Sequence, residues 1–175
     1  MNEQLPVWRL LSNEERRRAW DRFCAEFAFR PDMNADAWPS IREPSPSITW
    51  DISAAWSDPD PLLRTTNATV NANILLALQS CVGPSESVLV LDWQHPCYEF
   101  FPHREQGAPQ PEDWPIPVIP AGDYSIFLAN GSREGLFGHP WESTICVFGD
   151  GLLTQVLRNL PRVFGRVLRR DGLAA

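Results

Sequence analysis

Asp123–Gly149, DYSIFLANGSREGLFGHPWESTICVFG, decides the fold. Asp123 to Ala129 and Phe137 to Phe148 are rich in apolar, β-branched and aromatic residues and read as strands. Between them, Asn130-Gly131-Ser132-Arg133-Glu134-Gly135 has hairpin chemistry, because Asn and Gly take positive φ at little cost. Strands joined so closely run antiparallel. Pro140 has no N–H to give to a ladder, so the His139-Pro140 step interrupts pairing.

Outward from this hairpin the elements alternate in kind. Asp150 opens a final helix whose buried stripe is Leu152, Leu153, Val156, Leu157 and Leu160. Pro161 kinks or splits it before Val163 to Arg169, and Arg158, Arg162, Arg166 and Arg170 would form a basic stripe along it. Upstream, Val118-Ile119 reads as a short strand and the proline-rich Arg104 to Pro117 as a surface loop. VLVLDW, Val88 to Trp93, is apolar enough for a central strand. Gln94-His95-Pro96-Cys97 joins it to a strand over Tyr98 to Phe101.

A long helix is predicted over Asp58 to Ser80, with Asp58 or Asp60 as cap and Pro59 or Pro61 in its first turn. Its stripe is Val70, Ile74, Leu75 and Leu78, and Gly83-Pro84 stops it. SITWDIS, Ser47 to Ser53, alternates Ile48, Trp50 and Ile52 as a strand does. Ser12-x-x-Glu15 is a capping box opening a helix to Phe29, with Trp20, Phe23 and Phe27 on its buried face. Arg30-Pro31 ends that helix, and a loop runs from Asp32 to Pro46. The expectation is one α+β domain over residues 1–175, core about 8–172. Its mostly antiparallel sheet is packed by an N-terminal, a middle and a C-terminal helix.

Composition narrows the function. The 175 residues carry a net charge of −7 and no lysine, so Schiff-base and lysine-nucleophile chemistry are excluded. Residues 31–150 hold four Arg against sixteen acids, a balance of −12, whereas 151–175 hold five Arg against one acid. So acidic a middle repels phosphate backbones and suits a basic protein partner, so no nucleic acid is expected. Cys24, Cys81, Cys97 and Cys146 form no CxxC pair, so neither a metal ribbon nor a redox motif is expected. The start, MNEQLPVWRLLSNEE, lacks a signal-peptide pattern, and no apolar run approaches ~20 residues. A cytoplasmic location away from the membrane follows as the expectation, and the oligomeric state is left open.

All three histidines adjoin a proline: His95-Pro96, Pro102-His103 and His139-Pro140. LDWQHPCYEFFPH, Leu91 to His103, and FGHPWE, Phe137 to Glu142, echo one another as apolar strand, His-Pro, aromatic and Glu. If these strands pair, Asp92, His95, His139 and Glu142 are the candidate catalytic group. A histidine there would act as general base, or two His and a carboxylate would hold a divalent metal. No HExxH or HxH spacing supports this, so no metal and no cofactor are assigned. The competing reading is structural: proline ends pairing and the imidazole bonds a freed carbonyl. Trp93, Trp141 and His139 are the candidate binding residues, since tryptophan dominates binding hot spots. Trp50-Asp51, Asp92-Trp93 and Trp141-Glu142 are read as strand steps that send their two members to opposite faces. Asp123 is read as bonding turn amides.

Several blocks together carry a resemblance: WDRF (Trp20 to Phe23), FRP (Phe29 to Pro31), TWDIS (Thr49 to Ser53), LDWQHPCYEFFPH, GDYSIFLA and FGHPWESTICVFG. On these blocks the chain resembles bacterial, mostly actinobacterial, proteins carrying domain of unknown function 2716, from about Trp8 to Gly172. The resemblance implies a fold unit and a source, and assigns no catalytic residue. The functional expectation is a non-enzymatic protein-binding module, immunity-like or regulatory. The alternative is an enzyme with a His/carboxylate acid–base or metal site.

Overall fold

Side-chain alternation builds one sheet with both faces covered. The computed structural model describes residues 5–56, 60–105 and 114–175, with 60–63 as backbone alone. Its strands are β1 (Trp8–Leu10), β2 (Ser47–Asp51), β3 (Val88–Asp92), β4 (Tyr98–Phe100) and β5 (Ser125–Ala129). They continue with β6 (Glu134–His139), β7 (Thr144–Phe148), β8 (Val167–Arg170) and β9 (Leu173–Ala174). The helices are α1 (Asn13–Phe27), α2 (Asp60–Cys81) and α3 (Asp150–Arg158). The nine strands lie in the order β1-β4-β3-β5-β6-β7-β2-β8-β9. Every neighbouring pair is antiparallel, so the α+β class and the three helices are as expected.

Successive residues of each strand feed two separate cores. Ile48, Trp50, Val88, Val90, Phe127, Leu136, Ile145 and Val147 face α2 and α3, where Val70, Ile74, Leu78, Leu152 and Val156 meet them. Leu91, Ile126, Leu128, Phe137, Cys146 and Phe148 face the other way, onto Phe23 and Phe27 of α1 and onto Phe29 and Ile41. Burial on both faces explains why β5 and β7 read as continuous apolar runs rather than alternating ones.

The helix ends show how local signals act. Ser12 caps α1 through the predicted box: its Oγ accepts from the Glu15 N–H at 3.3 Å, and Glu15 accepts from the Ser12 N–H at 2.8 Å. Helix α3 follows Gly149 (φ 90°), which has no capping side chain. Its cap comes from afar, the Gly151 N–H donating to Glu134 Oε1 on β6 at 2.9 Å.

Four expectations need correction. Phe137 to Phe148 is a hairpin, β6 and β7, and Pro140-Trp141-Glu142-Ser143 is its turn, with His139 paired to Thr144. Trp141-Glu142 is therefore not a strand step. After α3, Val163 to Arg169 is not helical: the chain turns and enters β8, and Asp171-Gly172 returns it as β9. The basic stripe dissolves with that helix, and Leu157 and Leu160 of its supposed apolar face are exposed. Val118-Ile119 is a buried bend rather than a strand, fixed by the Val118 N–H donating to Asn71 Oδ1 at 3.1 Å. Trp114 and Ile116, assigned to the surface loop, are core residues. Asp58 and Pro59 lie outside the described residues. No helix among the described residues is long and apolar enough to cross a membrane.

Candidate functional site

The order of strands decides which candidate residues meet. β3 and β6 do not pair, because β5 lies between them. The turns after β3 and after β6 still fall at one end of the sheet. There the four candidates fall into two groups, Asp92 with His95 and His139 with Glu142. Among the described residues no hydrogen bond, ion pair or ring contact joins one group to the other. Tyr124, just before β5, stands between them, its ring 5.9 Å from Trp93 and 4.9 Å from His139.

The first group sits on the turn Asp92-Trp93-Gln94-His95. Gln94 takes a left-handed φ of 66°, and the His95 N–H reaches back to the Asp92 carbonyl at 3.4 Å. Asp92 pairs with Ser125 in the β3–β5 ladder, so the residue two before Ser125 falls beside this turn. That residue is Asp123. His95 Nδ1 lies 3.2 Å from Asp92 Oδ1 and 3.4 Å from Asp123 Oδ2. Asp123 does bond a turn amide as read from the sequence, accepting from the Tyr124 N–H at 2.8 Å. Its place beside His95 was missed, since nothing local to Gly122-Asp123-Tyr124 announces a partner thirty residues upstream.

Burial pushes both Asp92 and Asp123 above the usual carboxylate range, partly offset by His95. The hydrogen bond to Asp92 raises the exposed His95 above its ordinary value. Elsewhere the protein matches such carboxylates with arginine: Glu15 and Glu99 with Arg9, Glu43 and Glu142 with Arg169, Asp51 with Arg166. Among the described residues, the ion-pair partner of Asp92 and Asp123 is the His95 imidazole alone.

Beside this trio opens a groove of about 430 Å³. Arg16, Trp20 and Cys24 line one wall at helical spacing on α1, and Phe29 and Pro31 continue it. Trp93, Gln94 and His95 form the other wall. Trp20 stacks on Phe29 at 5.5 Å, so the aromatic wall is held before anything binds. A larger cleft of about 580 Å³ lies between α2 and the chain after α3. Among the described residues its polar lining is Thr65, Thr66, Thr69, Asn73, Asn159 and Arg162, with no carboxylate or imidazole.

The second group is closed. His139 is 0% exposed and ringed by Trp38, Tyr124, Phe137 and Trp141. Its Nδ1 accepts from the Glu142 N–H at 3.0 Å, which leaves the proton on Nε2, 3.0 Å from Ser40 Oγ. Ser40 lies 3.0 Å from the Tyr124 hydroxyl, which donates to the Asp32 carbonyl at 3.2 Å. Both ring nitrogens are thus used inside the fold. Burial, with Arg169 nearby, drives His139 down to about 4 against the pull of Glu142. Glu142 itself is gripped by Arg169 through two bonds of 2.6 and 2.8 Å, which outweigh burial and hold its carboxyl below the usual range. Of the binding candidates, Trp93 borders the groove, Trp141 packs edge-on against Tyr124 at 5.2 Å, and His139 lies beneath them.

Residues 10–153 match the family described as "Protein of unknown function (DUF2716)", and the chain belongs to that family. It is 32% identical over 163 residues to "Uncharacterized protein YxiI" of Bacillus subtilis (strain 168), covering 90% of this chain and 96% of the relative. That relative comes from a firmicute, and the actinobacterial bias is not shown. No solved structure matches the chain.

Proposed function

We propose that this chain is a non-enzymatic binding module, immunity-like or regulatory, that docks a basic segment of a protein partner. The working surface is the groove between α1 and the Trp93–His95 turn. One observation carries the reading: His95, on the wall of an aromatic groove, touches two part-buried carboxylates that no arginine among the described residues pairs with. An arginine or lysine from a partner would sit against Trp20 and Trp93 and reach Asp92 and Asp123, combining cation–π contact with ion pairing. The acidic balance of residues 31–150 would steer such a partner inward. The sequence blocks WDRF, FRP, DWQHP and GDYS, far apart in the chain, all contribute to this one place. The enzymatic alternative has less to rest on, because His139 is sealed and Glu142 is committed to Arg169.

The test is calorimetric titration with arginine-bearing peptides and acidic peptides of equal length, in buffer containing EDTA. Basic peptides are expected to bind, and Trp93→Ala and Asp123→Asn to weaken them at least tenfold, while Arg133→Ala leaves them unchanged. Equal binding of acidic peptides, or full affinity in Trp93→Ala, contradicts the reading.

A further inference from the structure

We infer that Asp92, His95 and Asp123 form a binding site for a single divalent transition-metal ion of zinc type. Among the described residues this is the only trio of imidazole, thiol and carboxylate side chains whose ligand atoms all lie within 4.8 Å of one another. The geometry is more specific than proximity. Ligands held tetrahedrally about 2.0–2.1 Å from zinc stand roughly 3.3–3.4 Å apart. His95 Nδ1 stands 3.2 Å from Asp92 Oδ1 and 3.4 Å from Asp123 Oδ2. A carboxylate oxygen of Asp92 and one of Asp123 also lie within 4.8 Å of each other.

Charge and ligand type point the same way. Two part-buried carboxylates converge on one imidazole, and among the described residues no arginine pairs with either, so a dication would balance their charge. One imidazole nitrogen and two carboxylate oxygens suit zinc, whereas calcium takes six to eight oxygens and magnesium keeps most of its water. Three protein ligands leave a fourth position open, and His95 places that position on the rim of the aromatic groove. The site differs from the one expected from sequence: Asp123 takes the place of His139 and Glu142, and a single histidine serves. It is independent of the docking reading, because zinc binding is measured on the free protein. Both use the same carboxylates, so zinc and a basic segment exclude one another.

Cys24 lines the same groove and would capture zinc adventitiously, so the full chain is titrated as Cys24→Ser. Calorimetry with zinc chloride is expected to give one ion per chain, and magnesium chloride no heat of binding. His95→Ala and Asp123→Asn, substitutions at the surface that leave the cores intact, are each expected to weaken zinc at least tenfold. Nitrogen spectra of the histidine rings supply a second readout, in which zinc shifts His95 and leaves His103 and His139 in place. No binding, or binding that changes less than threefold in both variants, overturns the inference. So does zinc binding that leaves the His95 ring signals unmoved.

Discussion

His139 shows what a single residue's environment decides. In sequence it carries every mark of a catalytic histidine, next to proline, tryptophan and glutamate. In the fold its Nδ1 is spent on the Glu142 amide and its Nε2 on Ser40, so it serves as a buried pin between the β6–β7 turn and the loop before β2. That role works only for the neutral ring, since protonation at Nδ1 destroys its acceptor. The groups facing it are Glu142, Arg169 and Tyr124. With a folded value of about 4 against about 6.5 unfolded, the unfolded chain binds the extra proton first. His139 therefore contributes its full stability above about pH 6.5 and loses it as pH falls toward 4, by about 3 kcal/mol. Chemical unfolding at pH 7 and pH 4.5 should show this loss, and His139→Gln should lack most of it while being less stable at pH 7. An unchanged pH slope in His139→Gln would assign the loss to the carboxylates instead.

At the scale of elements, β8 and β9 were the least legible part of the fold. Arginines at 158, 162, 166 and 170 mimic one helical face, and that periodicity outweighed the opposing signals. Those signals are physical: Pro161 and Gly165 disfavour helix, Val163 and Val167 are β-branched, and Asp171-Gly172 is hairpin chemistry. Asp171 and Gly172 adopt φ 54° and 76°, as a two-residue turn with both central residues left-handed requires. Beyond its backbone ladder to β2, β8 is tied down by Arg169, which reaches Glu43 at 2.9 Å and Glu142 by two bonds. Thr49 and Thr144 donate to the same two carboxylates. Removing Arg169 strands two buried acids, so Arg169→Ala should cost about 3–5 kcal/mol in urea unfolding. A loss under about 1 kcal/mol would mean that water reaches those carboxylates. The strands β2, β3 and β5 and helices α1 and α2 were legible because local period and core burial agree in them. The tertiary partners of Asp123, Glu43 and Arg169 were not, because no local pattern encodes a contact made across the sheet.

For the whole molecule, the antiparallel order gathers both His-Pro turns at one end of the sheet and then separates their fates. One turn is sealed by Trp38, Tyr124 and Trp141, and the other lines an aromatic groove through His95, which pairs with Asp92 and Asp123. The sequence pointed to this end of the sheet through DWQHP and FGHPWE, and β5, lying between β3 and β6, keeps those two strands from pairing. The central claim is that the groove end is the working surface of the domain. Amide, indole and imidazole nitrogen spectra, recorded while an arginine-bearing peptide is added in EDTA, test it most directly. The account predicts shifts centred on Trp20, Trp93 and His95, with the Trp50 indole and the His139 ring unmoved. Shifts centred on the α2 cleft at Asn73 and Arg162, or on no surface at all, would contradict it.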